Sequence, residues 1–215
     1  MKNTPNLDLT AQLTKIFGEY VVNEIKKVNG KNVDNPICGF EELHECLYNF
    51  LYLNSNLNYI NFYENHKQQT RFILITLEKY YGYSCIDFSN PLKKTAYNFT
   101  WEIEHIFPKS CKENLETENV HNIGNLTLIK SKLNSCKPYS DSNFKIKKEL
   151  LKKRIEKKLF LNKCFMKNEF SESDIKKRRK FLIRKFNNIF FYNKTDYSKE
   201  NFSIKYFTKK LNIKY

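Results

Sequence analysis

Two short strand signals stand in a stretch of chain flanked on both sides by helical patterns, and they constrain the fold more than any other feature. The first, Thr100-Trp101-Glu102-Ile103-Glu104-His105-Ile106, alternates in β-favouring fashion and is closed by Pro108. The second, Leu126 to Ile129, is entered through Gly124, and a helix is expected to begin near Lys132. The order is therefore strand, loop, strand, helix. Upstream, Leu9, Leu13, Ile16, Phe17, Tyr20 and Ile25 share one helical face that ends near Asn29-Gly30. A second helix is expected from about Phe40 to Leu53, and a third from about Gln68 to Tyr81, with Phe72, Ile75 and Tyr80 inward and Gly82 as its stop. The expected class is α+β, a mostly helical scaffold around one small two-stranded element. Residues 1–82 read as the N-terminal helical scaffold, 83–160 as the core that holds the strands, and 161–215 as a basic helix and tail. Without repeats or a long linker these parts are expected to form one compact unit.

Charge says what such a unit would touch. Of 215 residues, 38 are Lys or Arg and 23 are Asp or Glu, a net of +15. Residues 145–158 carry +6 and residues 176–185 carry +7, so the rest of the chain is nearly neutral. Both stretches read as amphipathic helices, with Ile146, Leu150, Leu151, Ile155 and Leu159 inward in one and Ile175, Leu182, Phe186 and Ile189 inward in the other. Two cationic faces suit a polyanion such as nucleic acid or an anionic membrane surface, and lysine-rich solvated faces are the bland alternative. A hydrophobic fraction of 40%, with 18 Phe and 14 Tyr, argues against disorder. No run of 18 apolar residues exists and the first ten residues lack an export-type stretch, so a cytoplasmic protein is expected. The six cysteines, at positions 38, 46, 85, 111, 136 and 164, form no C-x-x-C pair. That spacing disfavours structural zinc and redox chemistry, including a site built from Cys111, Cys136 and His121.

Three residues stand out on the strand frame: His105 at the end of the first strand, Asn125 after the Gly124 turn, and Asn134 at the start of the following helix. With Glu104 beside His105, this pattern resembles the HNH, or ββα-metal, nuclease family. More narrowly, the segments TRFILITLEKYYG (70–82), EIEHIFPKS (102–110), HNIGNLTLI (121–129), LNS (133–135) and SNFKIKK (142–148) look like the C-terminal nuclease domain of GmrSD-type restriction enzymes. The resemblance spans roughly residues 66 to 190. It implies a metal-dependent endonuclease that hydrolyses DNA phosphodiester bonds, an effector in anti-phage defence or restriction, with double-stranded DNA as substrate and no membrane partner. His105 and Asn125 would be the catalytic pair, Asn125 bracing the His105 loop through side-chain to backbone hydrogen bonds. Glu104 and Asn134 would hold the metal, and His121, Lys137, Arg178, Arg179 and Lys185 would contact nucleic acid. Asn134 stands where many HNH members have His, which weakens one ligand. No nucleotide-binding domain of the kind often fused to this nuclease reads out of these residues, so a separate recognition subunit, by analogy an ATPase of a defence system, is an expected partner.

The residue types suit that chemistry independently of the family. Phosphodiester hydrolysis needs a water deprotonated in line with phosphorus and a cation that stabilises the developing charge. An imidazole titrates near neutrality and serves as the base. A carboxylate and an amide oxygen are hard ligands of the kind Mg²⁺ prefers, with Mn²⁺ or Ni²⁺ as substitutes. Two alternatives compete: a non-catalytic nucleic-acid-binding protein on a nuclease-like frame, and a basic helical protein of a membrane surface or ribosome. In the tail, Phe202, Ile204 and Tyr206 alternate with polar residues, which suits a half-buried strand over 201–215 that packs on its own helices or docks on a partner subunit.

Overall fold

The computed structural model describes residues 61–82, 101–109, 117–135, 139 and 142–190. The expected helices near 9–25 and 40–53, Lys137 and the 201–215 strand lie outside them. Helix α1 (Lys67–Tyr81) begins one residue earlier than its periodicity suggested and stops before Gly82, whose N–H donates to Glu78 O at 2.9 Å. It is covered on almost every side: Phe72, Ile73, Leu74, Ile75 and Leu77 are all at or below 1% exposure. A helix so enclosed must satisfy its polar side chains within the protein. Thr70 donates to Phe62 O at 2.6 Å, and the buried Glu78 carboxylate accepts the N–H groups of Phe160 (3.0 Å) and Leu161 (3.1 Å). Arg71 donates to the Trp101 carbonyl and pairs with Glu102 at 3.3 Å.

That last contact ties α1 to the sheet. Strands β1 (Trp101–His105) and β2 (Leu126–Lys130) pair antiparallel, Trp101 opposite Lys130 and His105 opposite Leu126. Their burial does not alternate. Trp101, Ile103, Leu126, Leu128 and Ile129 are core, yet Glu104, His105 and Thr127 are buried as well, because other elements cover both faces. Between the strands run helix α2 (Thr117–Val120) and a 3-10 turn (Ile123–Asn125), whose start is capped by Asn122 Oδ1 accepting from Gly124 N at 2.9 Å. Helix α3 (Ser131–Asn134) follows β2 directly. Helix α4 (Phe144–Leu151), two 3-10 stretches (Ile155–Lys158 and Phe160–Met166) and the long helix α5 (Glu172–Phe190) complete the described architecture, mainly helical with one small antiparallel sheet. Phe144 stacks on Phe165 and Phe170 at 5.2 and 5.5 Å in a core shared with Ile106, Ile129 and Ile175. The other face closes on α1, where Phe72 meets Phe186 edge-on at 6.5 Å.

Two sequence expectations fail here. The helix expected over 145–158 ends at Leu151, and Ile146 and Ile155 are 46% and 47% exposed. The inward stripe is Phe144, Lys147 and Leu151, so a lysine occupies a core position and an isoleucine a solvent one. Continuing the helix would set Lys153 against Lys157 and Arg154 against Lys158 at i, i+4, a repulsive spacing that the turn avoids. Asn162 holds that turn, donating to Glu156 O at 2.8 Å.

Helix α5 does present Ile175, Leu182, Phe186 and Ile189 inward, all at or below 1% exposure. Arg178, however, does not face solvent as a nucleic-acid contact. Its guanidinium reaches across to the carbonyls of Ile123 (3.2 Å), Gly124 (2.8 Å), Leu126 (2.8 Å) and Leu161 (3.0 Å). Those carbonyls need donors, and one planar fork with five N–H groups supplies several at once. The approach is close because position 124 is glycine: a Cβ there would lie 2.1 Å from Ile175 O.

Arg178→Ala is expected to lower stability by about 2–4 kcal/mol in urea unfolding, since it strips a charged donor from four carbonyls at once. Arg178→Lys should recover only part of the loss, because one ammonium cannot span the same acceptors. An unchanged unfolding midpoint in the alanine variant would deny the guanidinium this role.

Candidate functional site

The site is assembled where the chain leaves β1. Beyond His105, the N–H of Ile106 donates to Asn125 O at 2.8 Å, and the Asn125 side chain does the rest. Its Oδ1 accepts Phe107 N at 2.8 Å, and its Nδ2 donates to Phe107 O and Val120 O, both at 3.0 Å. Asn125 is fully buried, so every polar atom of its amide is used on backbone. The clasp joins the exit from β1, the end of α2 and the entry to β2. Asn is suited to it because a single amide offers one acceptor and two donors in a plane.

Glu104 and His105 sit on the strand end that this clasp holds. Both are buried, at 7% and 5% exposure. Glu104 Oε1 receives the ammonium of Lys147 at 2.5 Å, and the same ammonium donates to His105 O at 2.7 Å. Lys147 is itself fully buried and lies 5.2 Å from the Tyr139 ring centre. Burial, with the Glu104 charge adding to it, pushes the Tyr139 phenol far above its usual range.

The His105 imidazole meets His121 and Tyr63. His105 Nε2 and His121 Nδ1 are 3.2 Å apart, and His121 Nε2 lies 3.3 Å from Glu64 Oε1. Tyr63 stacks parallel to His121 at 5.6 Å and leans on His105 at 4.4 Å. Burial drives the His105 pKa down to about 3, and the nearby His121, Lys147 and Lys109 push the same way against Glu64. Its proton affinity thus lies well below that of the imidazole titrating near neutrality that the sequence suggested, and the neutral ring keeps one nitrogen lone pair. No described residue hydrogen-bonds its Nδ1.

Asn134 closes the short helix α3, which packs against β1 and β2. Its Oδ1 is buried and has no hydrogen-bond partner among the described residues. An acceptor left this way in a polar region calls for a donor or a cation that the protein itself does not provide. The Glu104 carboxylate and the Asn134 amide are oxygen donors of the type a hard divalent cation takes, although no cluster of three His, Cys, Asp or Glu ligands occurs among the described residues.

The structure thus gathers Glu104, His105, Asn125 and one of the expected nucleic-acid contacts, His121, and leaves Arg178, Arg179 and Lys185 on α5. His121 is 9% exposed and turned toward His105 and Glu64, not an open polar loop residue. Arg178 is spent on the back of the β1–β2 connection. Lys185 is half-buried, its ammonium over Tyr81 at 4.6 Å and Phe181 at 5.6 Å, and Arg179 is half-buried on the same helix. The exposed cations of α5 are Lys177, Lys180 and Arg184. Sequence reasoning missed Glu64, Tyr63 and Lys147. Lys147 carried a signal, the i, i+3, i+7 spacing of Phe144, Lys147 and Leu151, but its charge hid it; Glu64 and Tyr63 carried none.

The model of one protein family, described as the C-terminal domain of GmrSD restriction endonucleases, matches residues 51–185. No curated protein and no solved structure matches the chain. The matched span contains every residue of the site described above.

Lys147→Met should cost about 3–5 kcal/mol in chemical unfolding, because it leaves the Glu104 carboxylate buried without its counter-charge. The double variant with Glu104→Gln should regain much of that loss. Additive losses in the double variant would show that the two side chains are not coupled.

Proposed function

The chain belongs to the family of GmrSD restriction endonuclease C-terminal domains, and on that premise we propose that it is a divalent-metal-dependent endonuclease of the HNH type that hydrolyses DNA phosphodiester bonds. The observation that carries the proposal is His105: a buried imidazole at a strand end, held against His121 through Nε2 and against Tyr63, with no described residue hydrogen-bonding its Nδ1. A general base needs an available lone pair in a fixed position. Asn125 fixes the backbone on either side of it and takes no part in bond making.

Glu104 and Asn134 are the residues that would hold the cation. When bound there, a divalent ion supplies neutralisation of the charge that grows on the phosphate and on the departing 3′ oxygen. The Lys147 ammonium beside Glu104 opposes a second positive charge, and the Asn134 amide brings none of the negative charge a carboxylate would. Modest metal affinity follows. His105 accepts the proton of the attacking water.

DNA would be held by exposed cations. Lys177, Lys180 and Arg184 on α5 and the run Lys152, Lys153, Arg154, Lys157 and Lys158 after α4 all reach solvent. They neutralise backbone phosphate irrespective of sequence, so recognition of a particular DNA falls to another surface or another subunit. An effector role in restriction or anti-phage defence, with a recognition ATPase as partner, fits that division. The competing proposal of a non-catalytic DNA-binding protein rests on the Lys147–Glu104 pair, which satisfies the carboxylate without a metal. Plasmid cleavage with Mg²⁺, Mn²⁺ or Ni²⁺, with and without EDTA, decides between them: nicking that EDTA abolishes supports the enzyme, and intact plasmid with all three metals sinks it.

His105→Ala is expected to reduce cleavage by about 10² to 10⁴-fold while DNA retention in a gel shift stays near wild type, because the loss removes a base and leaves the cationic faces alone. Cleavage at the wild-type rate would remove His105 from the chemistry. In calorimetric titration with Mn²⁺, Asn134→Asp should bind as tightly as wild type or tighter, and Asn134→Ala more weakly. Equal affinity in all three proteins would take Asn134 out of the metal site.

A further inference from the structure

Two side chains beside the proposed base have no part in the chemistry described so far. Glu64 lies in the turn that precedes α1, and that turn is tied to the loop carrying His121, since Phe62 N donates to His121 O at 3.1 Å. Both Glu64 oxygens are engaged. Oε2 accepts from Asn61 Nδ2 at 3.0 Å, and Oε1 is shared by Lys109 Nζ at 3.0 Å and His121 Nε2 at 3.3 Å. The Glu64 N–H also donates to Asn61 Oδ1 at 2.9 Å, so the carboxylate is held by its own turn. Tyr63, the residue next to it, lies against both imidazoles and sets the planes of their rings.

The polarity of this chain can be followed atom by atom. A carboxylate only accepts, so the His121 nitrogen that faces it, Nε2, carries a hydrogen. In the neutral form of His121, which the Lys109 ammonium already on Glu64 favours over a second cation there, the lone pair is on Nδ1. That nitrogen faces His105 Nε2, which must therefore be the donor of the 3.2 Å contact. A neutral His105 with its hydrogen on Nε2 has its lone pair on Nδ1. Nδ1 is the nitrogen that no described residue engages.

We infer that Glu64 and His121 are positioning residues that select the His105 tautomer, directing the basic lone pair to Nδ1 through the series Glu64 Oε1, His121 Nε2 and Nδ1, His105 Nε2. This deepens the proposed reaction and rests on His105 being its base. The proton balance closes within the series. When Nδ1 takes the proton of the attacking water, the hydroxide oxygen bonds to phosphorus, the P–O3′ bond breaks, and the 3′ oxygen leaves as an alkoxide that takes its proton from solvent. The Nε2 hydrogen of His105 shifts toward His121 Nδ1, which places the positive charge beside the Glu64 carboxylate. Glu64 is 49% exposed, so the far end of the series meets solvent, where the proton is returned. A carboxylate that orients one imidazole is familiar from hydrolytic triads, and here a second imidazole is interposed.

The test uses the full chain labelled with ¹⁵N-histidine. Long-range ¹H–¹⁵N spectra of the wild type should show His105 with a protonated-type Nε2 and an unprotonated-type Nδ1. In Glu64→Ala the His105 pattern should move toward a mixture of tautomers, and cleavage should fall about 10- to 100-fold, the range expected when a supporting hydrogen bond is removed. The loss should lie in kcat with KM nearly unchanged. Glu64→Gln, which keeps an acceptor oxygen, should restore most of both the spectrum and the rate, which a purely structural turn residue would not require. A wild-type spectrum with hydrogen on Nδ1, or a Glu64→Ala variant with unaltered tautomer and rate, overturns the inference. Because the spectrum is read without substrate, those outcomes are separate from a His105→Ala variant that still cuts, which would overturn the base assignment itself.

Discussion

A chain that departs from a strand inside the protein must find partners for its backbone, and this constraint shapes the rest of the molecule. Where the chain leaves β1 at Ile106–Phe107 and where it returns through Val120–Asn125, buried backbone groups need partners, and each left unpaired would cost about 1–3 kcal/mol. Three side chains remove that cost. Asn125 serves Phe107 and Val120, Asn122 serves Gly124, and Arg178 crosses from α5 to four carbonyls. Gly124 permits the helix to come near enough for the last of these. With Ile106 and Phe107 both bonded to Asn125, the end of β1 is held against the entry to β2, and His105 with it.

The buried charges follow the same logic on a larger scale. Arg71 ties α1 to β1, Glu78 ties α1 to the 3-10 stretch that precedes α5, Lys147 ties α4 to β1, and Arg178 ties α5 to the turn before β2. Each is an expensive group to desolvate and each is met by several polar atoms, so each specifies one arrangement of two elements. Two of these cations come from the basic stretches that suggested a polyanion partner. The cationic excess therefore has two uses: most of it faces solvent, and a small part of it is structural.

Rigidity of this kind suits the chemistry proposed for the site. A base acts well when its lone pair is already aimed, and the Asn125 clasp, the Tyr63 contact and the Glu64–His121 series all restrict His105 before substrate arrives. Lys147 performs the corresponding service for Glu104, holding a carboxylate in place at the expense of affinity for any cation it meets.

Much of this was legible from residue order. The spacing of Glu104, His105, Asn125 and Asn134 marked the frame, while their roles came from the family resemblance. The two strands, the helix that stops at Gly82 and the inward face of α5 follow from short-range patterns of polarity and turn residues, because those patterns act over a few residues along the chain. The direction of Arg178, the burial of Lys147 in place of Ile146, and the meeting of Glu64 with His121 and His105 do not. Each depends on which acceptor another element happens to present across space. A charged side chain on a helix is written identically whether it meets water or four carbonyls, and only packing decides which, because the energy of a charge is set by its surroundings.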